Sequence, residues 1–357
     1  MIFLYRGILL LLLTLVIERV QAAPPVFYTP GHPFIRYMGR IDFTRPDLPR
    51  FWQPGVTVSF RFKGEDALIY LRDEQLWGTN QNYIELVVDG QAVRLQTTGK
   101  RDTISVKPWL GKVKNHTVIL CKNTEANIGY LEFEGVRCEA LLKPAALPAR
   151  KIEAIGNSIT CGASADTAAV PCGKGKWQDQ HNAWLSYAAV SARQLNAQVH
   201  LSSVSGIGLM RSCCNMDIIM PQVYDKISMR DDTIGWDFGR YQPDLVTVCL
   251  GQNDGIQPPD QFRNNYLQFL NRLRFYYPRS RILLLSSPMA DNNLREFLRS
   301  ALQDVVAQRQ SAGDRRISYH VFEKAYTGGC DYHPSVTEHG QIAMELTAVI
   351  KKIMKWN

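Results

Sequence analysis

A chain of 357 residues is long for one average domain, so two are expected. Apolar residues make up 45% of it, enough for ordinary globular cores. The formal net charge is +8, but Lys and Arg are scattered and form no stripe interleaved with aromatics, which argues against a nucleic-acid groove; such a surface serves solubility or draws an acidic polysaccharide.

Residues 1–22 read as a secretory leader. Arg6 precedes the apolar run "GILLLLLTLVI" (Gly7 to Ile17), which is short for a membrane span. Val20-Gln21-Ala22 offers small residues at the two positions a signal peptidase reads, so cleavage is expected after Ala22. The product is expected to be secreted or periplasmic, without stable membrane association after cleavage; the alternative is a retained N-terminal anchor. Export would let disulfides persist among Cys121, Cys138, Cys161, Cys172, Cys213, Cys214, Cys249 and Cys330. Cys161–Cys172 is the pair singled out, and Cys249, inside an apolar strand, reads as a buried free thiol. No CxxC spacing occurs, so no metal site is expected.

From residue 23 to 145 the rhythm is that of short strands. "VTVSFRF" alternates, with Val56, Val58, Phe60 and Phe62 on one face, and Asp89-Gly90 between two strand-like runs signals a hairpin. This region is expected to be an all-β sandwich of jelly-roll type. Trp52, Trp77 and Trp109 fit either its core or a binding platform.

"KPAALPAR" (Lys143 to Arg150) is a proline-punctuated linker. From about 146 to 357 the pattern changes to apolar strands separated by helices: "KIEAIG", "VHLSSVSG", "DLVTVCLG", "RILLLSS" and "ISYHVF". Phe262, Tyr266, Phe269, Leu270 and Leu273 form the apolar stripe of one helix; Ile342, Leu346, Val349, Ile350 and Ile353 form that of the last. Such a sequence predicts a three-layer α/β/α domain around a parallel sheet, with its chemistry at the carboxyl ends of the strands.

Those ends read "GNSIT", "SVSGIG" and "CLGQND", and "GCDYHPS" precedes the last helix. They carry the residue types that ester hydrolysis needs. Ser158 is a candidate nucleophile and His333 its base. Asp331 is the candidate carboxylate to orient His333. The N–H groups of Ser158 and Gly206 and the amide of Asn253 are candidate oxyanion donors. Taken singly, each has a plainer reading: a helix cap at Ser158, turns at Gly206 and Asn253, a structural histidine before Pro334. The rival histidines fit worse: His181 starts a helix, His320 lies in an apolar strand and is expected buried, and His339 opens the last helix and is expected solvated or capping.

In order and spacing, "GNSIT", "SVSG", "GQND" and "DYHPS" resemble the sequence blocks of the SGNH hydrolases, with Asn157 where Asp is commoner. An N-terminal β-sandwich ahead of such a domain resembles carbohydrate esterase family 2, the acetylxylan esterases. The resemblance implies removal of O-acetyl groups from plant cell-wall polysaccharide, with no metal or organic cofactor, by Ser158, Gly206, Asn253 and His333. One departure is that Cys330 stands three residues before His333, where many SGNH enzymes have Asp. In an extended segment Asp331 would share a face with His333 and reach its Nδ1; the alternative is a Ser–His dyad oriented by a backbone carbonyl. Tyr332 would then point away and stack on sugar as a substrate contact. Packing is the favoured role of Trp177 and Trp236. The expected partner is an acetylated poly- or oligosaccharide, met by a monomer. The competing functions are a non-catalytic carbohydrate-binding protein and a lipase or thioesterase on the same scaffold.

Overall fold

The computed structural model describes residues 24–230 and 233–357, so the expected leader at 1–22 lies outside the described residues. Nine antiparallel strands come first: β1 (Val26–Tyr28), β2 (Arg36–Met38), β3 (Arg50–Phe51), β4 (Thr57–Asp73), β5 (Tyr83–Val88), β6 (Gln91–Gln96), β7 (Arg101–Ser105), β8 (Asn115–Lys122) and β9 (Leu131–Leu142). β4 organises them. Its first half pairs with β8 and its second half with β7, on either side of an irregularity between Lys63 and Ala67, while β9 follows both halves. A bulge bends a strand and lets one long ribbon serve two parts of a sheet. Val56, Val58, Phe60 and Phe62 all turn into the core of this domain, as their alternation predicts. Asp89-Gly90 turns β5 into β6. Trp52 is buried and Trp77 exposed, while Trp109 packs against the core from its edge.

The second domain has five parallel strands: β10 (Arg150–Gly156), β11 (Ala197–Ser203), β12 (Leu245–Cys249), β13 (Arg281–Leu285) and β14 (Ile317–His320), in the order β11-β10-β12-β13-β14. Its helices are α1 (Ser158–Cys161), α2 (Tyr187–Gln194), α3 (Met220–Val223), α4 (Pro259–Tyr276), α5 (Asn292–Ser311) and α6 (Val336–Met354). Successive side chains of a strand face opposite sides. In β13, Ile282 and Leu284 join the core under α4 and α5, and Leu283 and Leu285 join the one under α2 and α6. The predicted stripe Phe262, Tyr266, Phe269, Leu270 and Leu273 is the buried face of α4. In α6, Ile342, Leu346 and Ile350 are buried, with Val349 and Ile353 at the margin.

Two histidines depart from expectation. His339 is fully buried, its Nδ1 accepting from the Tyr187 N–H at 3.1 Å; the capping is done by Ser335 and Glu338 instead. His320 is only half-buried, because β14 is an edge strand, and its Nε2 meets Glu345 at 2.8 Å.

The domains interlock through polar groups. Arg40 forms a fully buried ion pair with Glu153 of β10 at 2.7 Å and donates to the Lys226 carbonyl at 2.8 Å. Arg94 donates to the carbonyls of Asp179 and His181. Trp236 is buried in the larger core, packing as expected.

Candidate active site

β10 lies between β11 and β12, so the chain leaves it first to one side and then to the other. At such a switch point the loops after adjacent strands diverge and leave a crevice. A cleft of about 510 Å³ opens there, lined by Ser158 after β10, Gly206 after β11, Asn253 after β12, and Asp331 and His333 after β14.

Gly156 ends β10 where a Cβ would fall 2.1 Å from Thr160 Oγ1, so only glycine admits this tight passage into α1. Asn157 caps the helix, its side chain accepting from the Ile159 N–H at 3.2 Å. Ser158 therefore sits at the first helical position. Gly206 adopts φ +81°, a conformation that favours glycine. Among the described residues the N–H groups of Ser158 and Gly206 donate to nothing else. Asn253 spends one amide hydrogen on the Ile207 carbonyl at 2.8 Å, leaving the other. All three predicted donors thus line one cleft.

Ser158 Oγ lies 2.8 Å from His333 Nε2. His333 Nδ1 lies 3.0 Å from the main-chain oxygen of Asp331. A carbonyl can only accept, so Nδ1 carries the proton and Nε2 is free to accept from the serine hydroxyl. This corrects the expectation for Asp331: its peptide oxygen, not its carboxylate, orients the imidazole. The segment is not extended. Cys330–Tyr332 forms a tight turn with Asp331 at φ 51° and ψ 40°, which removes the shared face on which the carboxylate would have met Nδ1. Burial lowers the pKa of His333 below its ordinary value, opposed by the Asp331 carbonyl and then by the Asp331 charge. Tyr332 is 80% exposed and lies between two cleft residues without lining the cleft itself. Trp177, expected to pack, instead lines the cleft and sets its ring 4.2 Å from that of His181.

The expected Cys161–Cys172 bridge is absent. Cys161 is a buried thiol facing Ser203 and Glu125, and Cys172 pairs with Cys330, their Cα atoms 5.2 Å apart. Cys161 points inward beneath the nucleophile turn, whereas Cys172 lies on an exposed loop beside the His333 turn. Cys249 is a buried free thiol, as read from its strand. The bonded neighbours Cys213 and Cys214 line the cleft.

Three contributors escaped the sequence reading. Glu125 of the first domain is fully buried under the site. Its carboxylate accepts from the Ser205 N–H at 2.5 Å and the Cys161 thiol at 3.4 Å, and burial pushes its pKa up. Asn127 brings the same domain into the cleft wall. Asp254 accepts from the N–H groups of Leu209, Met210 and Arg211, fastening the loop after β11 to that after β12. Only Asp254 left a trace, within "GQND"; nothing local marks Glu125 or Asn127. Among the described residues no cluster of three or more His, Cys, Asp or Glu side chains is placed to hold a metal.

Residues 154–337 match the GDSL-like Lipase/Acylhydrolase family. The chain belongs to that family. Residues 37–148 match the N-terminal domain of carbohydrate esterase 2. The chain is 30% identical over 342 residues to the cellulase/esterase CelE of Acetivibrio thermocellus, covering 91% of this chain but only 40% of CelE. It is 27% identical over 333 residues to an acetylxylan esterase / glucomannan deacetylase of Cellvibrio japonicus, covering 91% of this chain and 90% of that one. Its fold superposes on a family two carbohydrate esterase from Clostridium thermocellum, solved in complex with cellohexaose, with a TM-score of 0.82 and 28% identity over 90% of this chain and 100% of the other.

Proposed function

We propose that the protein is a secreted serine esterase that removes O-acetyl groups from plant cell-wall polysaccharide, acetylated xylan or glucomannan, through an acetyl-enzyme on Ser158. The observation that carries this reading is the 2.8 Å contact between Ser158 Oγ and His333 Nε2, set beside three oxyanion donors in one cleft. His333 takes the Ser158 proton as Oγ attacks the acetyl carbonyl carbon. The oxyanion accepts from the N–H groups of Ser158 and Gly206 and the free amide hydrogen of Asn253. The imidazolium returns the proton to the departing sugar oxygen, and water then cleaves the acetyl ester by the same steps. The Cys172–Cys330 bond supports an extracytoplasmic setting, where disulfides persist.

The test is acetate release from acetylated xylan and glucomannan, alongside hydrolysis of 4-nitrophenyl acetate and longer-chain esters. Native protein should release acetate and prefer acetyl esters, and Ser158→Ala and His333→Ala should be inactive. Equal rates for native and Ser158→Ala protein would overturn the mechanism. Faster turnover of long-chain esters would make the protein a lipase.

A further inference from the structure

His333 is held by a peptide oxygen, and that oxygen belongs to a turn with little intrinsic preference for its shape. Asp331 (φ 51°) and Tyr332 (φ 58°) are successive left-handed residues, neither of them glycine. Asp tolerates this conformation better than most side chains but Tyr does not, so a run of the two persists only where the surroundings impose it. Three main-chain hydrogen bonds close the turn: Gly329 N–H to the His333 carbonyl at 2.7 Å, Cys330 N–H to the Ser164 carbonyl at 2.9 Å, and His333 N–H to the Cys330 carbonyl at 2.9 Å. The remaining tie is covalent. Cys330 is buried and bonded to Cys172, which lies 158 residues earlier on an exposed loop. That loop is itself anchored. The Gln180 amide donates to the Lys174 carbonyl at 3.0 Å and the Val170 carbonyl at 3.3 Å, and its peptide oxygen accepts from the Asp166 N–H at 2.8 Å. The same loop delivers Trp177 to the cleft.

We propose that the Cys172–Cys330 disulfide is a positioning element for His333, supplying at residue 330 the constraint that would otherwise come from a carboxylate on the imidazole. It fastens the left-handed turn so that the Asp331 carbonyl stays on Nδ1 and the Nε2 lone pair stays aimed at Ser158. It also joins the Trp177 loop to this turn, so the cleft wall and the base keep one spacing. With the bond open, Asp331 and Tyr332 relax toward right-handed backbone, the carbonyl leaves Nδ1, and the ring samples its other tautomer. The inference rests on His333 acting as the base for Ser158.

The test is Cys172→Ser, made on the exposed side of the bond. With 4-nitrophenyl acetate, kcat should fall by about tenfold or more while KM stays within about threefold, the pattern of a lost transition-state interaction. The near-UV circular dichroism of the folded protein should be unchanged, and the His333 Nδ1 proton should disappear from the far-downfield NMR spectrum. Should the variant fail to fold, native folded protein is treated with a phosphine, which takes up the oxygen of water and leaves two thiols. Activity should then fall in step with opening of Cys172–Cys330, mapped by mass spectrometry apart from Cys213–Cys214, and return on reoxidation. Full kcat and an intact downfield proton with the bond open would overturn the inference. A Ser158→Ala protein as active as the native one would instead overturn the mechanism beneath it.

Discussion

The carbonyl that faces His333 predicts an unusual tolerance at Asp331. In a triad whose carboxylate holds the imidazole, replacing Asp by Asn costs about 10⁴-fold in kcat, because the wrong tautomer is favoured. Here the group on Nδ1 is the Asp331 peptide oxygen at 3.0 Å, and it survives any side-chain change that keeps the backbone in place. Asn is the informative replacement. It adopts the left-handed region readily, as φ 51° and ψ 40° require, and it removes the charge. Asp331→Asn should therefore keep kcat on 4-nitrophenyl acetate within about threefold. Asp331→Ala loses the charge and also disfavours the turn by roughly 1 kcal/mol, so it should be the weaker enzyme of the two and the less stable. The Asp331 charge raises the His333 pKa, so Asp331→Asn should also move the acid limb of kcat/KM to lower pH. The assay is a pH–rate profile of both variants with denaturation midpoints alongside. A loss of about 10³-fold or more in Asp331→Asn, with its fold intact, would refute the reasoning and return the carboxylate to the imidazole.

Burial lowers the His333 pKa, and only the neutral ring accepts the serine proton, so the acid limb of kcat/KM of the native enzyme should have its midpoint below pH 6.5, as a pH–rate profile will show. Gly206→Ala places a methyl 3.3 Å from Cys213 Sγ on a φ +81° backbone and should displace an oxyanion donor, lowering kcat about 100-fold with little change in KM. Glu125→Ala leaves the Ser205 N–H unpaired in the interior, the Cys161 thiol keeping Ser203 Oγ, and should cost about 2 kcal/mol in urea denaturation, whereas Glu125→Gln keeps an acceptor and should cost less. His181, His200 and His339 are buried with pKa values lowered to about 3, so the unfolded chain takes up protons below pH 6.5 that the native one refuses. Stability from these sites is complete above pH 6.5 and lost as pH falls, by about 2 kcal/mol per histidine at pH 5, which thermal melts across that range will register.

The legible parts of the protein were those set by local pattern. Alternation placed Val56, Val58, Phe60 and Phe62 inside, and the stripe of Phe262 through Leu273 named the buried face of α4. A parallel sheet brings the ends of its strands to one edge by construction, which placed Ser158, Gly206 and Asn253 together, and the block resemblance added His333 from the segment between β14 and α6. His339 was misread because its position at the start of α6 suggested exposure, whereas its ring packs on Tyr187 of a neighbouring helix.

The sequence by itself thus determined two domains of different rhythm and the four residues at the strand ends, because period and chain order carry that information. Only the tertiary structure decided what holds those residues in place. The left-handed Asp331, the partner of Cys330 and the reach of Glu125 beneath the nucleophile turn all depend on segments far apart in the chain. Their contacts are made across loops and between domains, where no periodicity constrains the pairing and three-dimensional proximity alone selects it.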